Sequence, residues 1–113
     1  MLEKEWEYGM RFLLTSVSEQ KADETLQIEM GKFIQELTQA GILLATGGME
    51  LGGSVLKSVG GELTVTDGPF AEAKEMAGGF ALIDVGSRQE ALELSRRFFK
   101  IIGDGEGRMQ QIY

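Results

Sequence analysis

No cysteine and no histidine occur among the 113 residues. The first absence excludes disulfides, thiolate nucleophiles and thiolate metal sites. The second removes the commonest general base near neutral pH and the commonest metal ligand, so any metal would need an all-oxygen site suited to magnesium or calcium. Neither a metal nor another cofactor is expected. Basic residues are also sparse: 11 Lys and Arg stand against 18 Asp and Glu, a formal net charge of -7. Phosphate neutralisation needs concentrated cations, so nucleic acid is excluded as a partner. The nearest approach to a basic cluster, Arg96-Arg97 and Lys100, falls in the last turns of a predicted helix, where cations complement the helix dipole. No N-terminal apolar h-region and no long apolar run occur, so no membrane segment is expected and a cytoplasmic protein is. Proline appears once, at Pro69.

What is present fits one folded domain. Apolar content of 42% and charged content of 26% are ordinary globular values. A chain this short buries a workable but modest core, to which association would add. Met1 to Glu7 reads as a charged leader, and Tyr8 to Tyr113 as a single domain.

Alternation from Tyr8 to Thr15 predicts a strand, with Met10, Phe12 and Leu14 on one face and Arg11 and Leu13 on the other. Both faces are partly apolar, as suits a central strand covered by helices on one side and a partner on the other. After a polar loop, Leu26, Met30, Phe33, Ile34 and Leu37 recur at helical spacing. Asp23 is the expected N-cap and Gly41 the expected terminator. Ile42 to Ala45 predicts a second strand, and the glycine-rich stretch Thr46 to Ser54 a flexible connection or bulge. Val55 to Thr66 predicts a hairpin turning at Gly60-Gly61, with Leu56, Leu63 and Val65 on one face. Gly78 to Val85 is the most apolar strand. Ser87 and Glu90 form a capping box that opens a second helix ending near Gly103, and Arg108 to Tyr113 closes the chain as a strand. The order strand, helix, strand, hairpin, strand, helix, strand predicts an α+β, ferredoxin-like β-α-β-(hairpin)-β-α-β fold, an antiparallel sheet with two helices on one face.

Three segments carry a resemblance. Thr66-Asp67-Gly68-Pro69-Phe70-Ala71-Glu72-Ala73-Lys74-Glu75, then Gly78 to Val85 (GGFALIDV) and Ser87 to Ala91 (SRQEA), resemble the YCII-related family in its DGPF-domain branch. Ala40 to Ala45 and Gly103 to Glu106 fit it too, so the likeness spans nearly the whole chain. It implies a dimeric α/β barrel, a homodimer whose sheets face each other, with a cleft near the Asp67 loop. YCII-type relatives are proposed to use a His–Asp pair, which a chain without histidine cannot supply. Leu51-Gly52 stands where the branch often has proline, and Arg108-Met109-Gln110 where it often has Glu-x-Arg, so a shared anionic substrate does not carry over.

Three readings of the site remain open. In the first, Asp67 and Glu75 converge beside Lys74 as a catalytic carboxylate site acting on a small molecule. In the second, the domain binds a small ligand without turnover, in a pocket drawn from Arg11, Phe12, Met49, Phe70, Phe80 and Arg108. In the third, the Asp67-Gly68-Pro69 turn is structural and Phe70 fastens the dimer.

Overall fold

The computed structural model describes residues 9–19, 23–50, 52–67 and 77–113. Eight elements follow in order: β1 (Met10–Ser18), α1 (Glu24–Gln39), β2 (Leu43–Met49), β3 (Ser54–Val59), β4 (Glu62–Asp67), β5 (Ala77–Val85), α2 (Arg88–Ile102) and β6 (Glu106–Ile112). The architecture is α+β. Four strands form an antiparallel sheet in the order β2-β5-β1-β6, and β3 with β4 forms a separate two-stranded ribbon.

The core lies between this sheet and the two helices. Phe12 on β1 is opposite Ile83 on β5, and Met10 is opposite Val85. Phe12, Ile83 and Val85 are buried with Phe33 and Leu37 of α1 and Ala91 and Leu94 of α2. Side chains alternate along a strand, so Phe12, Leu14, Ser16 and Ser18 share the helix-covered face, while Arg11, Leu13, Thr15 and Val17 lie on the other.

Local chemistry sets the helix ends. Asp23 is extended, and its carboxylate accepts from the Leu26 amide at 2.7 Å. At the other end Gly41 takes φ 74°, a left-handed value that glycine adopts without Cβ strain. Ser87 accepts from the Glu90 amide at 3.1 Å, but the Glu90 carboxylate reaches back to the Gly86 amide rather than to that of Ser87. Gly103, at φ 84°, closes α2.

The hairpin register is the expected one: Val59 faces Glu62, Ser58 faces Leu63 and Leu56 faces Val65, around Gly60 and Gly61 at φ 57° and 84°. The sequence predicts one wet side for this ribbon; in the structure both sides are bare. Leu56 and Leu63 on one face are 65% and 63% exposed, and Val59 on the other 68%.

Two strands run beyond their predicted ends. β1 continues through Ser16 to Ser18, a stretch that reads as a polar loop, because both neighbours supply a hydrogen-bonding edge there. β2 continues through Thr46, Gly47, Gly48 and Met49, the first part of the expected glycine-rich connection, because β5 offers Ala81 to Gly78 as partners. The register shift in this pairing falls between Leu43 and Ala45, before the stretch where a bulge is expected, and Thr46 to Met49 pair regularly.

Candidate functional site

Asp67 ends β4 at the open end of the ribbon. Its cross-strand partner is Ser54, whose hydroxyl donates to the Asp67 carboxylate at 2.5 Å. Asp67 is exposed and held within its own ribbon. Lys74 and Glu75, the residues expected to converge with it, lie outside the described residues, as does Phe70.

The expected pocket residues divide between the two faces of the sheet. Phe12 has no exposed surface and packs in the core beneath the helices. Its place opposite Ile83 removes it from any wall shared with Phe80, because Phe80 is opposite Thr15 and so on the other face. Arg11, Met49, Phe80 and Arg108 all belong to that other face by the same alternation. Thr15 stands between Phe80 and Arg108 in the pairing, and Phe80 is opposite Gly47. The Phe80 ring lies over Gly47, where a built Cβ would sit 3.1 Å from its edge. Arg11 lies four residues along β1 from Thr15, about 13 Å away, so it does not join this group. Its cross-strand partner is Asp84, which is buried and whose Oδ2 has no hydrogen-bond partner among the described residues.

A cavity of about 550 Å³ opens on the helix-covered face. Met30, Phe33 and Ile34 of α1 and Ser95, Phe98 and Phe99 of α2 form its roof and walls. Leu14, Ala81 and Met109 from the sheet continue them below. The backbone of Phe80 and Arg108 borders the same space from beneath, although their side chains alternate away from it. Hydroxyls supply nearly all its side-chain polarity. Thr46 Oγ1 donates to the Phe80 carbonyl at 2.9 Å, and Ser95 Oγ to the Ala91 carbonyl at 2.9 Å, which leaves both oxygens able to accept. Among the described residues no Asp, Glu or Lys lines the cavity.

The model of the YCII-related domain matches residues 10–98. The chain belongs to the YCII-related family. It is 34% identical over 85 residues, 74% of this chain and 68% of the relative, to "Uncharacterized protein R00369" of Rhizobium meliloti strain 1021. Among solved structures, the uncharacterized protein TM1266 from Thermotoga maritima is similar in fold, with a TM-score of 0.54 at 14% identity over 93% of this chain and 99% of that chain. At that identity the likeness concerns the fold alone.

Reading this YCII-related domain from its sequence missed the cavity. Its signal was nevertheless present. Gly47-Gly48 and Gly78-Gly79 are glycine pairs that no turn requires, and in the structure they fall within β2 and β5, with Gly48 opposite Gly79. Glycine within a strand marks a place where something must come close to the backbone.

Proposed function

We propose that this YCII-related domain is a small-molecule-binding module whose ligand occupies the cavity between the helices and the sheet. The observation that carries this reading is the cavity itself: about 550 Å³, walled by apolar side chains, and without a lining carboxylate among the described residues. Ligand sites are concave, largely apolar spaces of a few hundred Å³ with a few placed polar groups, and here the hydroxyls play that part. The reading favours binding over turnover, because the one described member of the expected catalytic set, Asp67, lies exposed on the ribbon with Ser54 as its partner.

The setting belongs to the same proposal. The strand order β2-β5-β1-β6, with a helix in each crossover, supports a ferredoxin-like arrangement covering residues 8–113. Asp67 to Phe70 supports the DGPF branch of the family. Two copies form a homodimer through the sheet face carrying Leu13, Val17, Phe80 and Leu82, which among the described residues no helix covers. The absence of cysteine and the acidic surface suit the cytoplasm.

A ligand that binds only the folded chain raises its stability, by about 2.7 kcal/mol at a hundredfold excess over Kd. Thermal denaturation with a panel of small neutral aromatic and aliphatic alcohols is the test. At least one class should raise the Tm of the unmodified chain and of Asp67→Asn alike, and lose its effect on Ala81→Met, whose longer side chain enters the cavity. A panel without effect, or an effect removed by Asp67→Asn and kept by Ala81→Met, would overturn the reading.

A further inference from the structure

The floor of the cavity is a row of residues almost without side chains. Gly48 on β2 is opposite Gly79 on β5, Gly79 is opposite Ser16 on β1, and Ser16 is opposite Gly107 on β6. This row crosses all four strands on the helix-covered face. At about 4.8 Å per strand it is about 14 Å long. The row beside it, Thr46-Ala81-Leu14-Met109, carries full side chains, so the floor drops where the glycines begin.

Backbone conformation does not call for glycine at these places. Gly48, Gly79 and Gly107 are absent from the glycines with positive φ. Each forgoes strand propensity and packing. At Gly107 the reason is local: a Cβ would lie 2.7 Å from the Thr15 carbonyl and 3.0 Å from the Phe99 ring. At Gly48 and Gly79 no such crowding exists. A Cβ on Gly48 would meet only the Gly78 carbonyl, at 3.8 Å, and one on Gly79 only the Gly47 carbonyl and Ser16 Oγ, at 3.4 and 3.8 Å. Nothing from either helix comes within 4 Å of those positions. Among the described residues the space above them is open, and both glycines line the cavity.

Above that space is an aromatic roof. Phe98 and Phe99 meet edge to face with centroids 5.2 Å apart, and Phe33 approaches from α1. Bare backbone at Gly48 and Gly79 offers a flat face to a ligand, and the aromatic lining offers ring contact. Ser16 stands mid-row, and its hydroxyl makes no hydrogen bond among the described residues. We infer that the cavity takes a flat, uncharged aromatic molecule of two or more fused rings, which lies on the Gly48-Gly79-Ser16 part of the row, up to where the Phe99 ring covers Gly107, and hydrogen-bonds the Ser16 hydroxyl. The inference rests on the proposed binding function and adds the shape and chemistry of the ligand. Stacked faces bring apolar area and ring-to-ring contact together, whereas a charged group would meet no lining counterion among the described residues on this side of the sheet.

The test is a fluorescence titration with N-phenyl-1-naphthylamine, followed by competition with 2-naphthol, which is flat, and 1-adamantanol, which is globular. The unmodified chain should bind the probe saturably at one site. 2-Naphthol should displace it at a concentration at least about tenfold below 1-adamantanol, the scale on which a pocket separates shapes. Gly79→Val and Gly48→Ala should each weaken 2-naphthol by about tenfold or more, whereas Gly31→Ala, on the outer side of α1 with nothing within 4 Å, should not. In case the valine variant does not fold, amide chemical shifts of the unmodified chain give a second reading: 2-naphthol should move Ser16, Gly48 and Gly79 most. No saturable probe binding would overturn the binding function itself. Saturable binding with equal competition by the two alcohols, or with shifts centred away from the row, would leave that function standing and overturn the flat-ligand inference.

Discussion

Arg97 of α2 holds Glu36 of α1 through two hydrogen bonds, of 2.6 and 2.9 Å, across 61 positions of sequence. The same guanidinium lies over the Phe33 ring, 4.8 Å from its centroid, so one side chain joins the helices by charge and by stacking. The hydrogen bond to Arg97 holds the Glu36 carboxyl below the ordinary glutamate range, and Glu36 in turn raises Arg97. A carboxylate whose pKa is lowered by folding stabilises the fold above its unfolded pKa, about 4.3. That contribution is lost as pH falls through the lower folded value. Glu36→Gln should therefore melt below the unmodified chain at pH 7, and the gap should close toward pH 3. Because the pair is exposed, the gap should be small and should shrink in salt. A gap that widens in acid would contradict this coupling.

Phe12 should behave as a core residue and not as a ligand contact. It is fully buried opposite Ile83, so Phe12→Ala should cost about 3–5 kcal/mol in urea denaturation. Phe80→Ala, on the opposite face and half-buried within one chain, should cost clearly less in the single-copy Leu82→Glu background, where no second copy covers it. Equal losses would mean that both faces of the sheet are sealed to the same degree.

Local chemistry in the sequence foretold much of this fold. Asp23, Ser87, Gly41 and Gly103 cap the helices as their residue types require, and Gly60-Gly61 sets the ribbon register. What it could not convey was tertiary. Ser16 to Ser18 and Gly47-Gly48 lack strand propensity, and they are strands because β5 and β6 lie beside them. Alternation correctly placed Phe12 and Arg11 on opposite faces, yet it could not say which face the helices would cover. Phe12 was therefore assigned to a pocket with Phe80. The cavity was illegible for a related reason: its floor is defined by four residues from four strands, whose alignment exists only once the register is set. For Asp67 the sequence suggested a convergence with Lys74 and Glu75, and only its bond to Ser54 falls within the described residues.

Glycine replacements should have opposite signs at two sites. At Gly107 a new methyl would meet the Thr15 carbonyl and Phe99, so Gly107→Ala should destabilise by about 1–3 kcal/mol, as overpacking does. Gly31 lies exposed within α1 with nothing within 4 Å, so Gly31→Ala should stabilise by about 0.5–1 kcal/mol, because alanine loses less backbone entropy in a helix. Chemical denaturation of both variants checks the pair. A neutral Gly107→Ala would mean that β6 can move away from β1 at that point.

The proposed dimer makes its own demand on Leu82. Leu82 is opposite Leu13 at the centre of the sheet, on the face away from the helices. If two copies meet through that face, a two-fold interface repeats every substitution, and Leu82→Glu introduces two like charges into one apolar layer. Each charge would lose water without gaining a partner, a far larger penalty than the same change on an open surface. Light scattering coupled to size exclusion should give twice the chain mass for the unmodified protein and the single mass for Leu82→Glu. Circular dichroism should show the variant still folded, because its core residues Phe12, Ile83 and Leu94 lie on the other side of the sheet. A single mass for the unmodified chain would remove the dimer, and a double mass for Leu82→Glu would move its interface to another surface, of which the bare ribbon with Leu56 and Leu63 is the most apolar available.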